Sequence, residues 1–266
     1  MKAPAGRERQ LVQAGHVGLD VISEGAGPTL VLLPSSLRDS EDFDELAGLL
    51  AEAGFRVLRP QPRGMGSSSP PPPGMTLGTL ADDVAAVIES FAAAPAVVIG
   101  HAYGHWVARM TDLRHPRLVR AVVVLGAAAR EFPAGMAEAL ATASDTSRPE
   151  PERLRALRLC MFAPGNDPHS WLQGWHPEWR TAYREAAQHP PRSEWFACGH
   201  APLLDLQGAQ DPWRPPATRR ELADALGAKV TIHEIDHASH ALVPEQPRAV
   251  ADAITGWLRC LGTQVG

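Results

Sequence analysis

Short continuous apolar runs recur along the 266-residue chain, separated by stretches with helical spacing. "TLVLLP" (29–34), "RVLRP" (56–60), "AVVIG" (96–100) and "VRAVVVLG" (119–126) read as strands, and the continuous runs among them fit strands buried on both faces of a parallel sheet. Between them, "SEDFDELAGLLAEAGF" (40–55) places Phe43, Leu46, Leu49 and Leu50 at helical spacing, with Gly54 as a stop. Further helices are predicted over 76–91 and 105–115. "HVGLDVISEG" (16–25) alternates as an exposed-edge strand would. Strand and helix in strict alternation predict an α/β fold, a mostly parallel twisted sheet with helices on both faces.

The rhythm breaks over 127–200, where helical patches and tryptophans occur without a convincing strand. It resumes with "APLLDLQG" (201–208), a helix over 216–227, "AKVTIHEI" (228–235) and an amphipathic helix over 244–261. The expected organisation is therefore one core domain, residues 1–126 and 201–266, carrying a helical insertion at 127–200. The loop "GMGSSSPPPPG" (64–74) reads as a stiff polyproline spacer over a strand end. Its glycines lack the G-x-G-x-x-G spacing and the following helix of a dinucleotide site.

Composition narrows the class. A hydrophobic fraction of 44% fits a globular domain, and a net charge of −5 offers no footprint for nucleic acid or an anionic membrane. Cys160, Cys198 and Cys260 are odd in number and widely spaced, which is neither a disulfide framework nor a metal-ligand pattern. The N-terminus shows no apolar signal segment and no run reaches transmembrane length, so a cytoplasmic monomer or homodimer acting on a small molecule is expected.

The candidate chemistry starts at "VVIGHAYGHW" (97–106), a strand running through Gly100 into a turn and a helix. A G-x-S-x-G turn at such a corner presents a serine above the sheet, with backbone N–H groups and the helix dipole ready for developing negative charge. Here both glycines are kept, but Ala102 stands at the apex. Downstream, "LQGAQDPW" (206–213) puts Asp211 beyond a strand end, and "DHASHALVPEQP" (236–247) offers His237 and His240 between a strand and a helix.

In these residues the chain resembles the α/β-hydrolase fold superfamily over nearly its whole length. The family order of nucleophile, acid and histidine maps onto Ala102, Asp211 and His240, with "SHALVPEQP" favouring His240 and leaving His237 a surface-loop histidine. The resemblance makes the insertion a cap and "LLPSS" (32–36) the oxyanion loop, although Pro34-Ser35 replaces the usual His-Gly. It makes the Ser36 and Tyr103 amides oxyanion-hole candidates. Substrate-pocket candidates are Ser35, His101, His105, Trp106, Trp171, Trp175 and Trp179, of which His101 also has a structural reading and the tryptophans a packing one. No metal or organic cofactor is implied.

Three functional readings stay open. In the first, a serine hydrolase of esters, lactones or activated C–C bonds carries an engineered Ser→Ala change at 102. In the second, alanine is native and the His240–Asp211 pair works as a general base on water or substrate, giving lyase, cyclase or water-activating chemistry. In the third, the chain is a ligand-binding protein on the hydrolase scaffold. An ordered acid and histidine favour an enzyme, and the departures at His105 and Pro34-Ser35 favour a native alanine.

Overall fold

A computed structural model describes residues 6–263. Strands β1 (Glu8–Ala14), β2 (Val17–Gly25), β3 (Thr29–Leu33), β4 (Arg56–Pro60), β5 (Ala96–His101), β6 (Val119–Leu125), β7 (Leu203–Gly208) and β8 (Val230–Ile235) form one sheet in the order β1-β2-β4-β3-β5-β6-β7-β8. Strands β3 to β8 pair in parallel, while β2 is antiparallel to both β1 and β4. This is the predicted α/β architecture.

Helices α1 (Asp44–Glu52), α2 (Leu77–Ser90) and α3 (Tyr103–Arg114) follow β3, β4 and β5. Between β6 and β7 lie α4 (Met136–Ser144), α5 (Glu150–Cys160), α6 (Arg180–Ala186) and α7 (Arg192–Trp195), with short 3-10 turns among them. Helices α8 (Glu221–Leu226), α9 (Leu242–Glu245) and α10 (Pro247–Thr263) complete the chain's described part.

The central strands divide their side chains between two cores because consecutive residues point to opposite faces. Val31, Leu33, Val98 and Val124 meet Leu80, Val84 and Val87 of α2 and Val107 of α3. Leu30, Leu32, Ile99 and Val123 meet Leu46 and Leu50 of α1 and Val250, Ile254 and Leu258 of α10. Burial on both faces is why these strands read as unbroken apolar runs. Leu154, Leu157, Trp171 and Trp195 from the segment between β6 and β7 join the first core.

The left end of the sheet corrects one expectation. β2 is not the edge: β1 flanks it, and seven of its nine residues are buried. Its polar positions are buried as ion pairs, Asp20 with Arg9 at 2.6 Å and Glu24 with Arg59 at 2.6 Å. The edge strand itself, "ERQLVQA", is mostly exposed and too polar to announce itself by an apolar run.

Candidate active site

Three loops at the C-terminal ends of parallel strands converge. The β5–α3 corner turns at Ala102, whose φ of +46° and ψ of −113° are disfavoured for any residue with a Cβ, at roughly 1–3 kcal/mol. The flanking glycines make that turn possible. A Cβ on Gly100 would lie 2.2 Å from the Gly104 carbonyl carbon, and one on Gly104 would lie 2.3 Å from the Leu33 oxygen. Tyr103 opens α3, so its amide has no acceptor within the helix, and the helix dipole adds partial positive charge there.

Beyond β7 and β8, Asp211 and His240 are both buried, with His240 Nδ1 3.0 Å from Asp211 Oδ2. The other carboxylate oxygen, Oδ1, accepts the Trp213 backbone N–H at 2.8 Å. The Trp213 ring lies 5.2 Å from the His240 ring, centroid to centroid, and its indole N–H donates to the Cys160 carbonyl. The Ala241 N–H donates to the Met161 carbonyl at 2.8 Å, tying the histidine loop to the chain after α5. With Nδ1–H held by the carboxylate, Nε2 is the nitrogen left for chemistry.

Ala102, Tyr103, Ser35, Ser36 and His240 share the wall of a cavity of about 430 Å³. Most of the remaining wall is apolar or aromatic, including Trp106, Phe132, Leu140, Met161, Tyr183 and Trp213. His105 also faces it, with Nδ1–H donating to the Ala102 carbonyl. Burial, followed by the nearby Arg109 charge, holds this imidazole well below its ordinary pKa, so it is neutral.

The chain matches the alpha/beta hydrolase family over residues 30–253. It belongs to that family. Rhodomycin D methylesterase DauP from Streptomyces sp. strain C5 is 29% identical over 89% of this chain and 94% of its own length. A 2-(acetamidomethylene)succinate hydrolase from Mesorhizobium japonicum is 30% identical over 114 residues, spanning 43% of this chain and only 41% of that protein. Among solved structures, carboxylesterase CesB from Bacillus subtilis superposes with a TM-score of 0.76 at 18% identity, covering 96% of this chain and 93% of the esterase. At that identity the likeness speaks for the fold alone.

Within this alpha/beta hydrolase fold, four of the expected pocket residues lie elsewhere. His101 is fully buried outside the cavity wall, its Nε2–H donating to the His240 carbonyl at 2.7 Å. Trp171 and Trp175 pack on the Arg38 guanidinium, with the guanidinium carbon 4.6 and 4.7 Å from their ring centroids, while Arg38 pairs with Asp42. Trp179 lies over the 64–74 loop and donates its indole N–H to the Gly64 carbonyl at 3.0 Å. These rings are occupied by cations and carbonyls of the framework. His237 is exposed, as expected of a loop residue.

Of the sequence candidates, His105 and Trp106 do line the cavity, and the rest of its aromatic wall comes from residues that were not among them. Phe132 lies parallel to Trp106, 6.3 Å apart and 9° between planes, and the Arg192 guanidinium covers both. Tyr183, Arg180 and Arg184 reach the cavity from α6. Of these further residues, Trp213 carried a signal, its place directly after the acid.

Proposed function

We propose that this member of the alpha/beta hydrolase family is an enzyme acting without cofactor on a small hydrophobic or aromatic carbonyl compound: an ester, a lactone or a C–C bond next to a carbonyl. His240 is the general base, Asp211 orients it, and the amides of Tyr103 and Ser36 bind the oxyanion. The helices of 127–200 form the cap over this site. The observation that carries the reading is His240, 3.0 Å from Asp211, standing in the wall of the same cavity as Ala102.

The chemistry follows from what each group can hold. His240 Nε2 accepts a proton from water, or from a carbon acid of the substrate, and Asp211 stabilises the imidazolium that results. Water attack makes a tetrahedral oxyanion and carbon deprotonation makes an enolate. Both place their negative charge where the two amides can donate. The methyl group of Ala102 leaves the space of a side-chain oxygen to water or to a substrate atom.

A second reading is a serine hydrolase whose serine is replaced at 102. It is favoured by the strained backbone kept at Ala102 and by the esterase and hydrolase names of the relatives. Stopped-flow hydrolysis of 4-nitrophenyl acetate by the chain as it stands and by Ala102→Ser separates the two. Serine-independent chemistry predicts steady turnover without a burst, changed little by the substitution. A burst of one 4-nitrophenolate per chain, with a gain of 10²-fold or more in Ala102→Ser, would transfer the assignment to the serine hydrolase.

A further inference from the structure

Two arginines stand out in a mostly apolar cavity wall that also holds Ser35, Ser36, Ser144, His105 and His240. Arg180 and Arg184 lie one turn apart on α6, so both can face one ligand group. No aspartate or glutamate shares that wall with them.

Elsewhere among the described residues, the buried arginines Arg38, Arg59, Arg63 and Arg214 pair with Asp42, Glu24, Asp83 and Asp205, while Arg109 and Arg153 donate to backbone carbonyls. In the cavity wall Arg180 is half-buried and Arg184 exposed. Among the described residues neither Arg180 nor Arg184 forms an ion pair, although the chain has 30 acidic residues to 25 lysines and arginines. Arg180 Nη2 donates to Ser144 Oγ at 2.9 Å and to the Ala141 carbonyl at 3.5 Å, which anchors the group to α4 and leaves its other nitrogens free of protein acceptors. Asp145, the carboxylate next to that anchor, is engaged by Ser147 and Arg148.

A guanidinium beside low-dielectric walls attracts an anion more strongly than one in open water, and its planar fork matches a carboxylate. We propose that the substrate of this cavity carries a carboxylate in addition to the carbonyl that reacts, and that Arg180 and Arg184 bind it. They are specificity-determining residues. The substrate class becomes an aromatic or hydrophobic carbonyl compound that is also a carboxylic acid.

The inference rests on reading this cavity as the substrate site. Its test is binding without turnover, so it can fail while the chemistry at His240 holds, and the reverse. Titration of the full chain with 3-phenylpropanoate and with its neutral twin 3-phenylpropanamide can be followed by calorimetry and by quenching of Trp106 and Trp213 in the cavity wall. The acid should bind at least tenfold more tightly than the amide at low salt. In Arg180→Gln/Arg184→Gln that preference should fall below threefold while the amide affinity stays unchanged, which also reports an intact cavity. Equal affinity for acid and amide, failure of both to bind, or a preference that survives the double substitution would each overturn it.

Discussion

The His101 ring is wholly enclosed, with its Nε2–H on the His240 carbonyl and Trp171 against it, 6.0 Å between ring centroids. Burial above all, with the nearby His240 ring adding to it, pushes its pKa down from 6.5 to about 3. The folded chain therefore holds this imidazole neutral where the unfolded chain protonates it. Its contribution to stability is complete above pH 6.5 and is lost as pH falls from there toward 3. Between pH 7.5 and 5 the loss amounts to about 2 kcal/mol. His101→Gln keeps an N–H donor for the His240 carbonyl but does not titrate. Urea unfolding at the two pH values should show the variant losing about 2 kcal/mol less than the parent chain, whereas parallel losses would contradict a neutral buried His101. This residue also marks a limit of sequence reading. Its place beside the apex made it a pocket candidate, yet it lies outside the cavity wall and supports the histidine loop instead. His240 and Asp211 were legible because strand ends and the order along the chain identify them without knowledge of side-chain direction.

At the scale of elements, the β5–α3 corner depends on backbone approaching backbone, which no rotamer change relieves. The Cβ of Gly104→Ala would meet the Leu33 and Pro34 carbonyl oxygens at 2.3 and 2.6 Å. That substitution should cost about 2–4 kcal/mol in chemical denaturation and displace the Tyr103 amide. Gly48 in α1 is the counter-case: nothing lies within 4 Å of its added Cβ, and Gly48→Ala should be neutral or stabilise by up to about 1 kcal/mol. Equal effects at the two positions would refute the close-approach account. The glycines at 100 and 104 were readable because the turn requires them locally. The tryptophans at 171, 175 and 179, left open between packing and pocket by the sequence, were undecidable for the opposite reason. Their partners, Arg38 and Gly64, are more than 100 residues away, and no local pattern announces such contacts. Strand β1 escaped notice because its pairing with β2 stabilises a sequence that is polar on its own.

For the whole molecule, the parallel sheet brings the ends of β5, β7 and β8 to one cavity, gathering residues 102, 211 and 240 from across the chain. The chain's net charge is −5, yet that cavity presents two arginines and no carboxylate in its wall. Under the proposed reading, charge placement of this kind concerns what is bound, while the His240–Asp211 pair concerns what is done to it. The most direct test of the second is the steady-state turnover of 4-nitrophenyl acetate by the chain with Ala102 in place, before and after His240→Ala, with far-ultraviolet circular dichroism confirming the fold. General-base catalysis predicts a fall in kcat/KM of roughly 10²–10⁴-fold. Turnover unchanged by the loss of the imidazole would contradict it, and no turnover by either chain, with ligand affinity alone altered, would leave a binding protein on a hydrolase scaffold.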